Sequence, residues 1–112
     1  MVTLISSRIR RITIPYKDIY TSVFILDTKD GTILFDPASG DYDVETYILP
    51  ELRNRNLRYI FISHNHRDHA WGLDRLMAVY PQATIVTQND ALAEKFANFS
   101  VLRPQEGDML LD

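Results

Sequence analysis

The sequence predicts an α/β fold of the α+β kind, a mixed β-sheet with helices on one face. Three observations lead there. An Asp-Gly turn sits between two β-rich runs; helical and strand patterns alternate after it; and a composition 46% hydrophobic and 24% charged is that of an ordinary globular protein with a packed core. With 112 residues the chain has room for one compact domain or one half of a larger one, because domains typically run about 100 to 150 residues.

Residues 8 to 14 come first. Ile9 lies on one parity and Ile12 and Ile14 on the other, the pattern of a strand with an irregularity near Arg10 and Arg11, the arginines forming its wet face. The runs Ile19 to Thr28 and Thr32 to Phe35 flank Lys29-Asp30-Gly31, which predicts an antiparallel hairpin. Asp36-Pro37-Ala38-Ser39-Gly40 then ends the strand in a loop, since proline cannot donate to a ladder. Between Asp43 and Asn56, the residues Val44, Tyr47, Ile48, Leu52 and Leu57 recur near helical spacing. Asp43 is the candidate N-cap, and Pro50 is placed to kink or divide the helix.

Arg58 to Ser63 is a short β-branched and aromatic run, expected as a strand buried on both faces. It leads into a loop holding every histidine of the chain. Leu73, Leu76, Met77 and Tyr80 follow as a helical stripe stopped by Pro81, and Ala83 to Thr87 reads as another strand. Asn89 or Asp90 caps a last short helix reaching Ala97. Val101-Leu102 and Met109-Leu110-Leu111 are weaker strand candidates on either side of a turn at Glu106-Gly107-Asp108.

Charge and composition narrow the function. Fifteen acidic against twelve basic residues, a formal charge of −3, offer no general attraction to phosphate backbones or anionic lipid, so a nucleic-acid partner is not expected. The absence of cysteine leaves histidine and carboxylate as the only strong metal ligands. Neither a signal-peptide pattern at the start nor a run approaching about 18 apolar residues is found, so the expectation is a cytoplasmic protein outside the membrane.

The chemistry concentrates in His64-Asn65-His66-Arg67-Asp68-His69. Imidazole and carboxylate are the ligands favoured by zinc and related first-row ions, and neutral histidine offers a lone pair near pH 7. Residues two apart, such as His64 and His66, can point to one side of an extended segment. Asp68 and His69, at the following turn, can address a neighbouring position about 3.5 to 4 Å away, as in two-metal sites. The plainer alternative, that Asp68 merely caps a helix starting near Ala70, accounts for one residue and not for four.

An apolar strand, Ser63, the pattern His-x-His-x-Asp-His, then Ala70, Gly72 and Leu73 resembles the signature of the metallo-β-lactamase superfamily of αββα hydrolases. The Lys29-Asp30-Gly31 hairpin, the strand ending at Asp36 and the Glu106-Gly107-Asp108 turn fall where that family has its own. The resemblance covers essentially the whole chain and only the first half of the family's domain. It implies that His64 and His66 hold a first metal and Asp68 and His69 a second, zinc by preference, with iron or manganese as alternatives. It further implies that Asp36 sits beneath the histidine loop and orients an imidazole; a simple turn-forming Asp-Pro is the competing account of Asp36.

His69 argues against the lactamases that lack a histidine there, and His66 against the diiron redox branch, which has a glutamate. Similar proteins include thioesterases of the hydroxyacylglutathione type, lactonases and phosphodiesterases. The implied reaction is hydrolysis of an ester, thioester, lactone or phosphodiester by a metal-bound hydroxide that Asp68 helps to orient. The competing class is a non-catalytic metal-binding or interaction module on the same half-fold. Tyr16, Tyr20 and Trp71 are candidates for a pocket near the loops and equally for core or rim.

The family's remaining ligands, a third histidine, a bridging aspartate and a last histidine, have no counterpart after His69. The expectation is an incomplete site, inactive in isolation, in a fragment of a longer enzyme or in a chain that pairs with a second copy through its sheet.

Overall fold

The computed structural model describes residues 2–16, 19–37, 40–62 and 72–103. Seven strands form one sheet in sequence order: β1 (Val2–Leu4), β2 (Ile9–Tyr16), β3 (Ile19–Thr28), β4 (Gly31–Phe35), β5 (Leu57–Ile62), β6 (Thr84–Thr87) and β7 (Ser100–Leu102). Strands β1 to β4 pair antiparallel; β4 to β7 pair parallel. Two residues suffice to reverse the chain at Lys29-Asp30, whereas parallel neighbours need a crossover. Helices supply it: α1 (Gly40–Asp43), a π-helical turn (Val44–Ile48) and α2 (Leu49–Leu52) before β5, α3 (Leu73–Val79) before β6, and α4 (Asp90–Lys95) before β7.

Alternation along each strand decides which side chains meet the helices. Ile12, Ile14, Val23, Ile25, Leu34, Ile60, Ile62 and Ile85 share one core cluster with Val44, Ile48 and Leu52, with Leu73, Leu76 and Met77, and with Leu92. Among the described residues every buried helical residue belongs to that cluster, so these helices cover a single face. The expected mixed sheet with helices on one face is therefore what forms. Among the described residues no helix is long and apolar enough to cross a membrane.

Several expectations need correction. The β2–β3 ladder runs without a slip from Ile9↔Leu26 to Tyr16↔Ile19, so no irregularity exists near Arg10. Arg10 instead shares the inward parity of Ile12 and Ile14 and lies at the edge of the core, its guanidinium 3.1 Å from Glu51 and 3.7 Å from Asp27. Asp27 also accepts from Arg55 at 2.7 Å and from the Thr32 hydroxyl at 3.0 Å. Two carboxylates make an inward arginine tolerable, because a charge leaves water only against a counter-charge; Arg8 and Arg11 are exposed as expected.

Asp43 is not a cap: it is helical, with φ −67°, and makes no side-chain cap bond to the following turn. Pro50 falls where the helical segment is divided, as expected, at the junction of the π-helical turn with α2. Leu49 donates to the carbonyl of Val44, five residues back, and this wider turn leads into α2, where Pro50 takes a first-turn position in which its missing N–H costs nothing. Strand β5 is buried only at Leu57, Ile60 and Ile62; Tyr59 and Phe61 are half-buried and Arg58 is exposed, and no helix among the described residues covers the face of Tyr59 and Phe61. Strand β1 had no sequence signal, and the candidate strand at Met109-Leu110-Leu111 and the turn before it lie outside the described residues.

Elsewhere the local chemistry acts as read. Asn89 caps α4 by accepting from the Leu92 N–H at 2.9 Å, and Tyr80 closes α3. At the hairpin, Gly31 has φ +141°, and a Cβ there would meet Arg58 Cγ at 2.1 Å and the Asn56 carbonyl at 3.0 Å. Gly31→Ala should therefore cost about 1 to 3 kcal/mol, from backbone strain and the displaced arginine together. Urea denaturation measures it, and an unchanged midpoint would show that the turn relaxes freely.

Candidate metal centre

Parallel strands that end level with one another create an edge at which loops converge, the usual place for a site in an open α/β sheet. Phe35 is paired with Phe61, and Ile62 with Thr87, so β4, β5 and β6 end together. Asp36 is the first residue beyond β4. Its N–H donates to the Phe61 carbonyl at 2.8 Å, which carries the ladder one step further and sets Asp36 beside the exit of β5.

The backbone at Asp36 has φ 50°. This left-handed conformation costs a non-glycine residue about 1 kcal/mol and is borne best by short polar side chains. Asp36 is half-buried and the following Pro37 buried, so the turn is held from both sides. Asp36 thus stands at a bend directly after β4. On the helix-free side, the rings of Phe35 and Phe61 stack at 5.2 Å, fixing the two strand ends relative to each other.

His64, His66, Asp68 and His69 lie outside the described residues, as does Trp71. The ends of their segment are described: the chain leaves the sheet at Ile62, which is buried, and re-enters at Gly72, whose carbonyl accepts the first helical bond of α3 from Leu76. The cap position of α3 is Gly72, with no side-chain bond; the alternative in which Asp68 caps a helix lies outside the described residues. Among the described residues no group of three or more histidines, cysteines or carboxylates stands ready for a metal; the three histidines of the chain all fall in the intervening segment. As a donor set, three imidazoles and a carboxylate at the exit of a buried strand, with a further carboxylate on the neighbouring strand end, suit zinc and similar ions.

Thr87 was not singled out from sequence. It is 2% exposed at the same edge, and its hydroxyl accepts from the Asn89 N–H at 3.1 Å, turning the chain into α4. Only a threonine ahead of the capping Asn89 hints at this. Tyr20 is 71% exposed and belongs to no core. A polar cleft of about 440 Å³ lined by Asp27, Lys29, Asp30, Asn54 and Arg55 lies at the opposite end of β4, away from the candidate centre.

The chain matches the family model described as the metallo-beta-lactamase superfamily over residues 16–103, a span that contains Asp36 and the whole histidine run. A hydroxyacylglutathione hydrolase of Francisella tularensis subsp. novicida is 35% identical over 69 residues, covering 60% of this chain and 26% of that protein. Among solved structures, a metallo-β-lactamase from Pontibacter korlensis superposes with a TM-score of 0.73 at 18% identity, over 99% of this chain and 55% of the other. A metallo-β-lactamase with an HARLDQ motif from Cronobacter sakazakii gives 0.63 at 28% identity, over 87% and 38%. The chain thus spans about a quarter of the length of that curated relative and about half of the Pontibacter structure.

Proposed function

The chain belongs to the metallo-β-lactamase superfamily, and on that premise we propose that it carries the metal-holding part of a hydrolase acting on an ester, thioester, lactone or phosphodiester. The relative named hydroxyacylglutathione hydrolase favours a glutathione thioester as the substrate class. The observation that carries the reading is the His64 to His69 run at the exit of β5, next to Asp36 at the exit of β4.

In this reading His64 and His66 hold one ion and Asp68 and His69 a second, zinc foremost, with iron or manganese as alternatives. A zinc ion so held supplies Lewis-acid charge and lowers the pKa of a coordinated water to about 7. The chain's own residues do the positioning. Asp68 aligns the attacking water, and Asp36 accepts from the ring nitrogen of a histidine that faces away from the metal, fixing its orientation and raising its basicity.

Two protein ligands per ion fall short of the three that a catalytic zinc normally has, and the chain has no further histidine. We therefore propose that hydrolysis requires donors from outside these residues and that the chain alone is inactive. The test is hydrolysis of a hydroxyacyl-glutathione thioester by the zinc-loaded chain, alone and mixed with the remaining segment of a curated relative. Turnover only in the mixture, lost in Asp68→Ala, supports the reading. No turnover in any mixture, with zinc still bound, would instead favour a non-catalytic metal-binding module.

Asp36→Gly separates the two roles of that residue. Glycine accepts a φ of 50° without penalty, so stability should stay within about 0.5 kcal/mol or rise. Zinc affinity should fall about 10- to 100-fold. Unchanged affinity would leave Asp36 as a turn residue only.

A further inference from the structure

The end of the sheet away from the candidate metal centre gathers positive charge that the formal −3 of the whole chain conceals. After α2 the chain runs Arg53-Asn54-Arg55-Asn56-Leu57-Arg58, and the β3–β4 hairpin brings Lys29 to the same place. The polar cleft of about 440 Å³ lies between hairpin and loop, with Lys29, Asn54, Arg55 and Asn56 in its walls. Asp27 and Asp30 line it too, but Asp27 is already engaged, by Arg55 at 2.7 Å, by the Thr32 hydroxyl at 3.0 Å and by Arg10 at 3.7 Å. Lys29, Arg53 and Arg58 have no carboxylate partner among the described residues. Three free cations therefore stand around the one free carboxylate, that of Asp30, and the local field favours an anion.

The donors are held in position before any ligand arrives. Arg55 is fixed twice, its Nε donating to the Glu51 carbonyl at 2.9 Å and its Nη1 to Asp27. Arg58 donates to the Asp30 carbonyl at 3.0 Å, and its Cγ lies where a side chain on Gly31 would have to go. Lysine supplies a point charge, arginine a planar fork, and the Asn54 and Asn56 amides supply neutral donors, the set that a phosphate group requires. We propose that this cleft binds a phosphate group carried on a hydroxylated small molecule, with Asp30 accepting from a hydroxyl of that molecule. The volume falls in the range of small-molecule sites, about 300 to 1,000 Å³, and exceeds what bare phosphate fills. The site stands at the opposite end of β4 from Asp36, so it does not rest on the hydrolase reading.

Amide NMR spectra of the chain, titrated without added zinc at low ionic strength, test the proposal with three probes: ribose phosphate, ribose, and a single-stranded oligonucleotide with dephosphorylated ends. The expected result is saturable shifts at Lys29 to Thr32 and at Asn54 to Asn56, with ribose phosphate binding at least about 10-fold tighter than ribose. Lys29→Glu, an exposed position in the hairpin, should weaken ribose phosphate by about 10-fold or more. Lys95→Glu, a change at an exposed cation on α4, should alter it by less than about twofold. Absence of saturable shifts at those residues overturns the proposal, and so does equal weakening by the two variants, which marks a general charge effect. Tighter binding of the oligonucleotide would assign the phosphate to a nucleic-acid backbone and overturn the small-molecule carrier.

Discussion

His66→Ala should strip the protein of the ion assigned to His64 and His66. After dialysis against dilute zinc, the unaltered chain is expected to retain about one ion or more, as elemental analysis reads it, and the variant about one ion fewer. With His64 and His66 holding one ion, deleting either leaves a single imidazole, and the loss must exceed the 10- to 100-fold cost of removing a residue that only supports a ligand. Thermal unfolding gives a second readout. Ligand at 100 times its dissociation constant adds about 2.7 kcal/mol to the folded state, so zinc should raise the midpoint of the chain by more than that of the variant. Equal zinc content and an equal thermal shift in the two proteins would place the ion elsewhere and remove the foundation of the hydrolase reading.

Ile60→Ala should be the costliest single truncation in the sheet. Ile60 is fully buried, flanked on its ladder by Leu34 and Ile85, and belongs to the cluster that joins the sheet to the helices. Truncation of such a residue removes buried surface and leaves a cavity, costing about 2 to 5 kcal/mol. Against a total stability on the order of 5 to 15 kcal/mol, that is a large share. The control is Leu4→Ala on the edge strand β1, where Leu4 is 66% exposed and the change should stay within about 0.5 kcal/mol. Chemical denaturation measures both, and similar values for the two variants would contradict the packing described. Because β5 leads into the histidine run, Ile60→Ala should also weaken zinc binding, but only in proportion to the unfolded fraction; His66→Ala does so while the fold stands.

The elements legible in the sequence are those set by local chemistry. Lys29-Asp30-Gly31 marked the hairpin because a tight turn needs a residue free to adopt positive φ, and Asn89 marked α4 because its side chain caps the helix itself. What escaped depends on distant partners. Arg10 reads as surface until Asp27 and Glu51 are brought to it from β3 and α2. Strand β1 buries almost nothing, so it leaves no hydrophobic pattern to detect. Pro50 marks the division of the helical segment, but that the division takes the form of a widened turn is a property of the preceding backbone and not of any one residue. Of the candidate site, the residue types and their spacing were legible within six positions, whereas the nearness of Asp36 to the exit of β5 follows only from the parallel pairing of β4 with β5.

The π-helical turn at Val44–Ile48 bears on how this segment tolerates change in length. Such a turn is a place where a helix has taken in one extra residue, the surplus being looped out locally while the residues on both sides keep their facing. A one-residue deletion at Thr46 would contract the turn toward α-helical geometry and leave Leu52 and β5 close to where they are. The same deletion within β5 would move Ile60 and Ile62 to the opposite face, since side chains in a strand alternate at every step. Within a few residues of each other, then, the chain has one stretch able to absorb an insertion or deletion and one that cannot, and the histidine run is attached to the second.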